Sequence, residues 1–255
     1  MSVPLYSMID VAPTLAAIMG VPAPAQSNGE PLAEILNGLD RGRRCALLVP
    51  DALGMHPWSL WKDEMPFFTA LVEARHVVLR SVMPTITPVN FATMVTGVDQ
   101  SVHGIGTYND NIQCETLFDV LGAQGKQGAA YGQESCTMGQ LIYPIAQAGR
   151  RVPRYEDDQS VEALLADATE ISPAFIITQL VTTDDVFHRF KPSNPEVVPY
   201  VRDTDVRLKR LVEGLSELEY AVMILADHGQ HDGEERGTHG TDSDEDSLVP
   251  CTWIT

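Results

Sequence analysis

The chain is short of positive charge: 17 Lys and Arg stand against 35 Asp and Glu in 255 residues, a formal net charge of -18. Binding along a nucleic-acid backbone draws on clustered Lys and Arg, so a nucleic-acid polymer is not an expected partner. Long apolar runs are missing too. None approaches the roughly 18 residues that a membrane span needs, and no basic stretch followed by a clean apolar one opens the sequence. The expectation is a soluble, cytoplasmic protein without a membrane partner. Cysteine is sparse and scattered: Cys45, Cys114, Cys136 and Cys251 show no CxxC spacing, which speaks against a disulfide framework or a thiolate zinc site. Internal repeats and low-complexity segments are lacking as well. The acidic run Asp242 to Asp246 is most simply a solvated loop.

What is present is an ordinary globular composition, 44% apolar and 7% aromatic, in a chain long enough to bury a substantial core. Short apolar runs at Cys45–Pro50, His76–Met83, Phe175–Val181, Tyr220–Ala226 and Leu248–Thr255 read as strands. Helical patterns at Met8–Gly20, Phe67–Arg75, Val161–Ala168 and Val201–Leu218 alternate with them, which predicts an α/β fold with a mostly parallel sheet. One domain over 1–255 is expected, with 137–174 the place for a small lid. The arginines of that stretch, Arg150, Arg151 and Arg154, read as solvated surface.

Ligands of open α/β sheets bind at the carboxyl ends of the strands. Asp51 follows the first of these strands, Thr182 to His188 follows Phe175–Val181, and Asp227-His228-Gly229 follows Tyr220–Ala226. The stretch from Ile224 to Gly240 also concentrates His228, His231 and His239 among carboxylates. By itself it fits a polar turn with solvated histidines as well as it fits a divalent metal site. Asp184 and His188, spaced i, i+4, can face one way on a helical turn; Asp185 with His188 is the alternative pair. Thr87 before Pro88 reads as a helix N-cap. At the positive end of the helix dipole the same hydroxyl could act as a nucleophile on an anion.

The set Pro84-Thr-x-Thr87-x-x-Asn90, Val95-Thr-Gly97, Val102-His-Gly-Ile105, Asp51, Asp184-x-x-x-His188, Asp227-His228-Gly229 and Gly237-Thr-His-Gly240 resembles the alkaline phosphatase superfamily. Its nearest branch is the type I phosphodiesterases and nucleotide pyrophosphatases, with the phosphonoacetate hydrolases close by. The resemblance implies a three-layer αβα sandwich and two divalent metal ions, zinc as first choice, although manganese or iron accepts the same ligands. It assigns Asp184, His188 and His239 to one ion, and Asp51, Asp227 and His228 to the other. Thr87 becomes the nucleophile on the second metal, forming a phospho-threonine intermediate, and Asn90 a donor to a phosphoryl oxygen. His231 reads as surface, and His103 as a residue that orders the loop after the Thr87 helix.

Two departures stand out. The segment from Ile9 to Pro22, with Gly29-Glu-Pro-Leu32, looks like the stretch that in such relatives follows the last metal histidine, so the chain resembles a circular permutation. The interval from Thr87 to Asp184 also leaves little for the large cap of the mutase members, which favours hydrolysis. The expected activity is hydrolysis of a small phosphodiester or pyrophosphate, with phosphonate or phosphomonoester hydrolysis as the alternative. Trp58, Trp61, Phe91 and Tyr108 are candidate walls for a second ester group. A catalytically idle binding module is the rival from another class, disfavoured by the complete ligand set.

Overall fold

The computed structural model describes residues 4–37, 39 and 41–254. Gly38 and Asp40 of the expected turn before the first long strand, and Thr255 of the last, lie outside the described residues. Three long apolar runs form the middle of the sheet: β2 (Cys45–Pro50), β6 (Phe175–Leu180) and β7 (Ala221–Leu225). Each is buried on both faces, as a parallel strand covered by helices on either side must be. With β1 (Leu5–Ser7), β3 (Val77–Arg80), β4 (Gly128–Gln133), β5 (Ala148–Val152) and β10 (Leu248–Ile254) they build an eight-stranded sheet in the order β1-β3-β10-β7-β2-β6-β4-β5. Only β10 runs against its neighbours. The remaining strands, β8 (His231–Asp232) and β9 (Gly237–Thr238), form a separate small ribbon.

Helices cover both faces, giving the expected α/β sandwich. On one side α4 (Pro66–Ala74), α8 (Asp157–Glu170) and α10 (Val198–Glu217) pack together; α1 (Val11–Met19), α5 (Thr87–Thr96) and α7 (Leu117–Ala123) form the other layer. The shorter helices are α2 (Ala33–Leu36), α3 (Met55–Trp61), α6 (Gln100–His103), α9 (Thr182–Arg189) and α11 (Asp244–Ser247). No described helix is long and apolar enough to cross a membrane.

Register brings the functional strand ends to one level. Leu48 of β2 pairs with both Ile224 of β7 and Thr178 of β6, so Asp51, Asp227 and the start of α9 emerge side by side. Because β7 and β10 are neighbours, residues 226–247 form one excursion from this edge, returning beside its point of departure. Close backbone approach fixes it there: a Cβ on Gly54 would come within 2.5 Å of the Gly229 Cα, and one on Gly229 within 2.1 Å of the Glu245 carbonyl oxygen. Only glycine fits at either position.

Among the elements that the sequence reading passes over are β1, α3 and β5, together with the short α6, α11, β8 and β9. Edge strands carry weak signals, because their outer sides need not be apolar; β5 includes exposed Arg150 and Arg151. β1 and β10 flank β3, and Pro4 and Ile254 lie at the same edge of the sheet, beside Val78 and Val222. Within 137–174, β5 and α8 belong to the sheet and its covering layer, while Arg154 and Tyr155 rim the cleft above the strand ends.

Candidate metal centre

Six side chains converge at the carboxyl edge. Asp51, directly after β2, is 1% exposed, and Asp227 and His228, after β7, are 0% exposed. One oxygen of each strand-end carboxylate is occupied: Gln179 Nε2 donates to Asp51 Oδ2, and the Ala52 N–H donates to Asp227 Oδ1 at 3.1 Å. That amide is aimed by Ala52 taking a left-handed backbone (φ 59°), a conformation that disfavours Cβ-bearing residues by roughly 1 kcal/mol or more. The other oxygens, Asp51 Oδ1 and Asp227 Oδ2, together with Asp184 Oδ1, are buried and have no hydrogen-bond partner among the described residues.

These orphaned oxygens face imidazole nitrogens. His188 Nδ1 lies 3.1 Å from the Gly237 carbonyl, His228 Nδ1 2.9 Å from that of Gly229, and His239 Nδ1 2.8 Å from that of Thr85. A carbonyl only accepts, so each Nδ1 carries the proton and each Nε2 is left with a bare lone pair. Asp184 Oδ1, His188 Nε2 and His239 Nε2 stand 3.3, 3.7 and 3.1 Å apart. On the other side, His228 Nε2 is 3.6 Å from Asp51 Oδ1 and 3.3 Å from Asp227 Oδ2. Ligands about 2.1 Å from a tetrahedral zinc would be ~3.4 Å from one another. Acceptors crowded to that spacing, with no proton between them, fit cations. Asp51, Asp227 and His228 form one such group; Asp184 and His239 form another, with His228 and His188 both within reach. His228 and His239 stack at 4.0 Å between ring centroids.

Electrostatics agree. Burial, reinforced by the charges of Asp227 and Asp184, holds the Asp51 carboxyl well above the usual range, and burial also raises Asp227. Burial and the neighbouring His228 push His239 down to about 4, so its ring is neutral, as a metal ligand must be.

Thr87 differs from expectation in a useful way. Ile86 is the N-cap, and Thr87 is the first helical residue. Its hydroxyl makes no capping bond and lies 3.1 Å from His228 Nε2, at the positive end of α5. Asn90 does not fit its expected role. Its Oδ1 accepts from the Val82 N–H, and its Nδ2 donates to the carbonyls of Val82 and Ile86, so both amide protons are spent on pinning the strand-to-helix loop. Asp184, not Asp185, joins the cluster; Asp185 points outward, 4.0 Å from Arg154. Of the aromatic candidates, Phe91 is buried, Trp58 and Trp61 bond to Thr69 and Pro192, and Tyr108 lines the site.

Sequence reasoning places His231 and Asp246 in solvent, and the structure corrects both. Asp246 is 0% exposed. Its Oδ1 lies 2.6 Å from His231 Nδ1, its Oδ2 accepts from the Thr241 N–H and hydroxyl, and its carbonyl accepts from the Gly229 N–H. One carboxylate thus ties both arms of the loop that carries His228 and His239. An acidic run conceals this in sequence, since nothing distinguishes the inward member. Asp246→Ala is expected to weaken zinc binding by about 10-fold or more, whereas Asp244→Ala, in an exposed pair with Arg80, leaves it unchanged. A zinc titration decides, and equal affinities would remove Asp246 from the account.

His103 is buried away from the cluster. Its Nδ1 accepts from the Ile105 N–H, and its Nε2 lies 3.2 Å from Thr93 Oγ1. Burial lowers its pKa to about 4, against the partial opposition of Asp99. The folded chain therefore refuses a proton that the unfolded chain accepts near the ordinary value of about 6.5. Its stability contribution is complete above about pH 6.5 and is lost as the pH falls toward about 4. Urea midpoints of wild type and His103→Gln, compared across that window, should converge as the pH drops.

Over the cluster lies a cavity of about 380 Å3 lined by Asp51, Thr87, Asp184, Tyr108, Gln133 and Arg154 among others. Arg154 is the one cation among its lining residues.

Fold and site together define an α/β protein with a candidate two-metal centre beside a hydroxyl. The family model for type I phosphodiesterase / nucleotide pyrophosphatase matches residues 46–117 and 110–246, and the chain belongs to that family. Among solved structures it is similar to murine ectonucleotide pyrophosphatase / phosphodiesterase 5 (17% identity, TM-score 0.61, covering 74% of this chain and 58% of that one). It is similar also to phosphonoacetate hydrolase from Sinorhizobium meliloti 1021 (18%, TM-score 0.58, 74% and 57%). A third likeness is to the C-terminal periplasmic domain of EcEptC from Escherichia coli in a zinc complex (12%, TM-score 0.59, 84% and 72%). These likenesses show the fold, and the chain spans less than two thirds of the first two structures. No curated protein matches the sequence.

Proposed function

We propose that the chain is a metal-dependent phosphodiesterase or pyrophosphatase that works through a phospho-threonine at Thr87. One observation carries this reading: three buried, unpartnered carboxylate oxygens face three imidazole Nε2 atoms, with the Thr87 hydroxyl 3.1 Å from the Nε2 of His228. Asp51, Asp227 and His228 would hold one divalent ion, and Asp184, His188 and His239 the other; zinc suits this nitrogen and oxygen set. Such ions supply Lewis acidity to the attacking and leaving oxygens of an in-line displacement.

The chain's own groups do the rest. The α5 terminus places Thr87 Oγ1 where the helix dipole favours both an alkoxide and a bound anion. Thr87 attacks phosphorus, the bond to the leaving alcohol or phosphate breaks on the Asp184 side, the second ester group stays on the threonine-bound phosphorus, and water then releases it from the threonine as a phosphomonoester. A phosphomonoester dianion calls for several cationic donors around the nucleophile, and Arg154 alone lines this cavity. That favours a diester, with one negative charge. Zinc-loaded protein should therefore turn over bis(p-nitrophenyl) phosphate faster than p-nitrophenyl phosphate. The reverse order would shift the reading to a monoesterase, turnover of phosphonates alone to a phosphonate hydrolase, and turnover of none to an idle binding module.

A further inference from the structure

The loop that follows β4 carries a second threonine with the marks that single out Thr87. Thr137 stands directly before the helical turn Met138–Ile142, yet its hydroxyl makes no capping bond and no hydrogen bond to any described residue. It is 4% exposed, and with Thr87, Asp51 and Asp184 it lines the cavity of about 380 Å3 over the cluster. A buried hydroxyl that borders a cavity and lacks a protein partner has the contents of that cavity as its partner. We propose that the Thr137 hydroxyl donates to a non-bridging oxygen of the phosphoryl group under attack, which makes it a catalytic residue. The inference rests on the phosphoester-hydrolase reading above and adds a residue to its site.

Two contacts fix where this hydroxyl stands. Gln179 Oε1 accepts from the Met138 N–H at 2.8 Å, and Gln179 Nε2 donates to Asp51 Oδ2. One buried amide thus ties the residue next to Thr137 to a carboxylate on the Thr87 side of the cluster. The Met138–Ile142 turn also packs against α5, whose first residue is Thr87. The two hydroxyls are therefore held in one packed framework.

Chemistry supplies the need. A phosphodiester has two non-bridging oxygens, and in the transition state they share the charge of the transferring group. Donors set in place beforehand stabilise that charge without reorganising. Asn90 supplies none, because both of its amide protons go to the carbonyls of Val82 and Ile86. Gln133 and Gln179, also in the lining, spend their Nε2 groups on Asp157 and Asp51. Tyr108 is 42% exposed and the Arg154 side chain 60% exposed, so packing fixes neither. Ser135 is exposed as well. Thr137 is the lining donor that is both buried and uncommitted.

The test compares zinc-loaded full-length wild type with Thr137→Val, which keeps the shape and removes the hydroxyl, and with Thr137→Ser, which keeps the hydroxyl. Valine is expected to lower kcat/KM for bis(p-nitrophenyl) phosphate by about 10–100-fold, the worth of one hydrogen bond to a charged group. Serine should stay within about 3-fold of wild type. Orthovanadate, a five-coordinate mimic of the transition state, should bind the valine variant more weakly by a similar factor in calorimetry, with no turnover involved. The Rp and Sp forms of methyl p-nitrophenyl phosphorothioate locate the contact. Sulfur accepts hydrogen bonds poorly, so the valine penalty should vanish for the form that places sulfur at Thr137 and persist for the other. A valine variant within about 2-fold of wild type, a serine variant as impaired as valine, or equal penalties for both forms overturns the inference and leaves the parent reading standing. Wild-type protein that cleaves none of these esters sinks both.

Discussion

Replacing Thr87 with alanine is expected to lower kcat for bis(p-nitrophenyl) phosphate by at least about 10^3-fold, a loss above about 4 kcal/mol of transition-state stabilisation. Zinc content should stay as in wild type, because the six converging carboxylate and imidazole side chains remain. Serine at the same position keeps a hydroxyl on the same Cβ and should restore part of the rate. Acid-quenched wild-type protein should carry a p-nitrophenyl phosphoryl group on Thr87, read by mass spectrometry of the peptide. An alanine variant that keeps its activity would mean that water attacks phosphorus directly and that the hydroxyl beside His228 only fills space.

The second large effect concerns stability, and it has opposite signs with and without metal. Asp51 is buried beside Asp227 and Asp184, whose charges add to burial in raising its pKa. Without a cation these carboxylates oppose one another in a low-dielectric site. Asp51→Asn keeps an oxygen for Gln179, now the donor to Asp51, and turns a neutral amide toward His228. The metal-free variant should therefore be more stable than metal-free wild type, by on the order of 1–3 kcal/mol. The loaded forms should reverse in rank. A ligand present at 1,000 times its Kd stabilises by about 4 kcal/mol, and the variant gives up much of that gain for the ion proposed at Asp51, Asp227 and His228. Thermal unfolding with chelator and with excess zinc measures both signs. If Asp51→Asn lowers the midpoint under chelator as much as with zinc, Asp51 is a structural hydrogen-bond acceptor and nothing more.

The central strands were legible because burial on both faces leaves continuous apolar runs such as Cys45–Pro50 and Phe175–Leu180. Their carboxyl ends then pointed to Asp51, Asp184 and Asp227, since the sheet geometry sends whatever follows a parallel strand to the same edge. The rest depended on contacts between segments far apart in the chain. Asn90 carries a motif letter, but whether its amide meets substrate or the Val82 backbone is settled by a loop that spacing does not encode. Asp246 sits in an acidic run whose other members face solvent, and only the packing of α11 turns it inward. Gln179, which with Thr178 interrupts an otherwise apolar strand, was the one clue available to the eye, since a buried amide needs a partner. Arg154 gave no clue at all: an arginine in an irregular stretch reads as surface until the cavity beside it is seen.

The excursion from 226 to 247 leaves β7 and comes back on β10, the strand hydrogen-bonded to it. Both of its feet are therefore set in the most protected part of the molecule. Carrying its two feet aside would mean unzipping two neighbouring central strands. Ions and substrates must then come and go through the mouth at Tyr108 and Arg154 while the histidines hold still. The amides of Ala226 to Gly229 should accordingly exchange with deuterium as slowly as those of β7 itself, an unusual property for residues at the end of a strand.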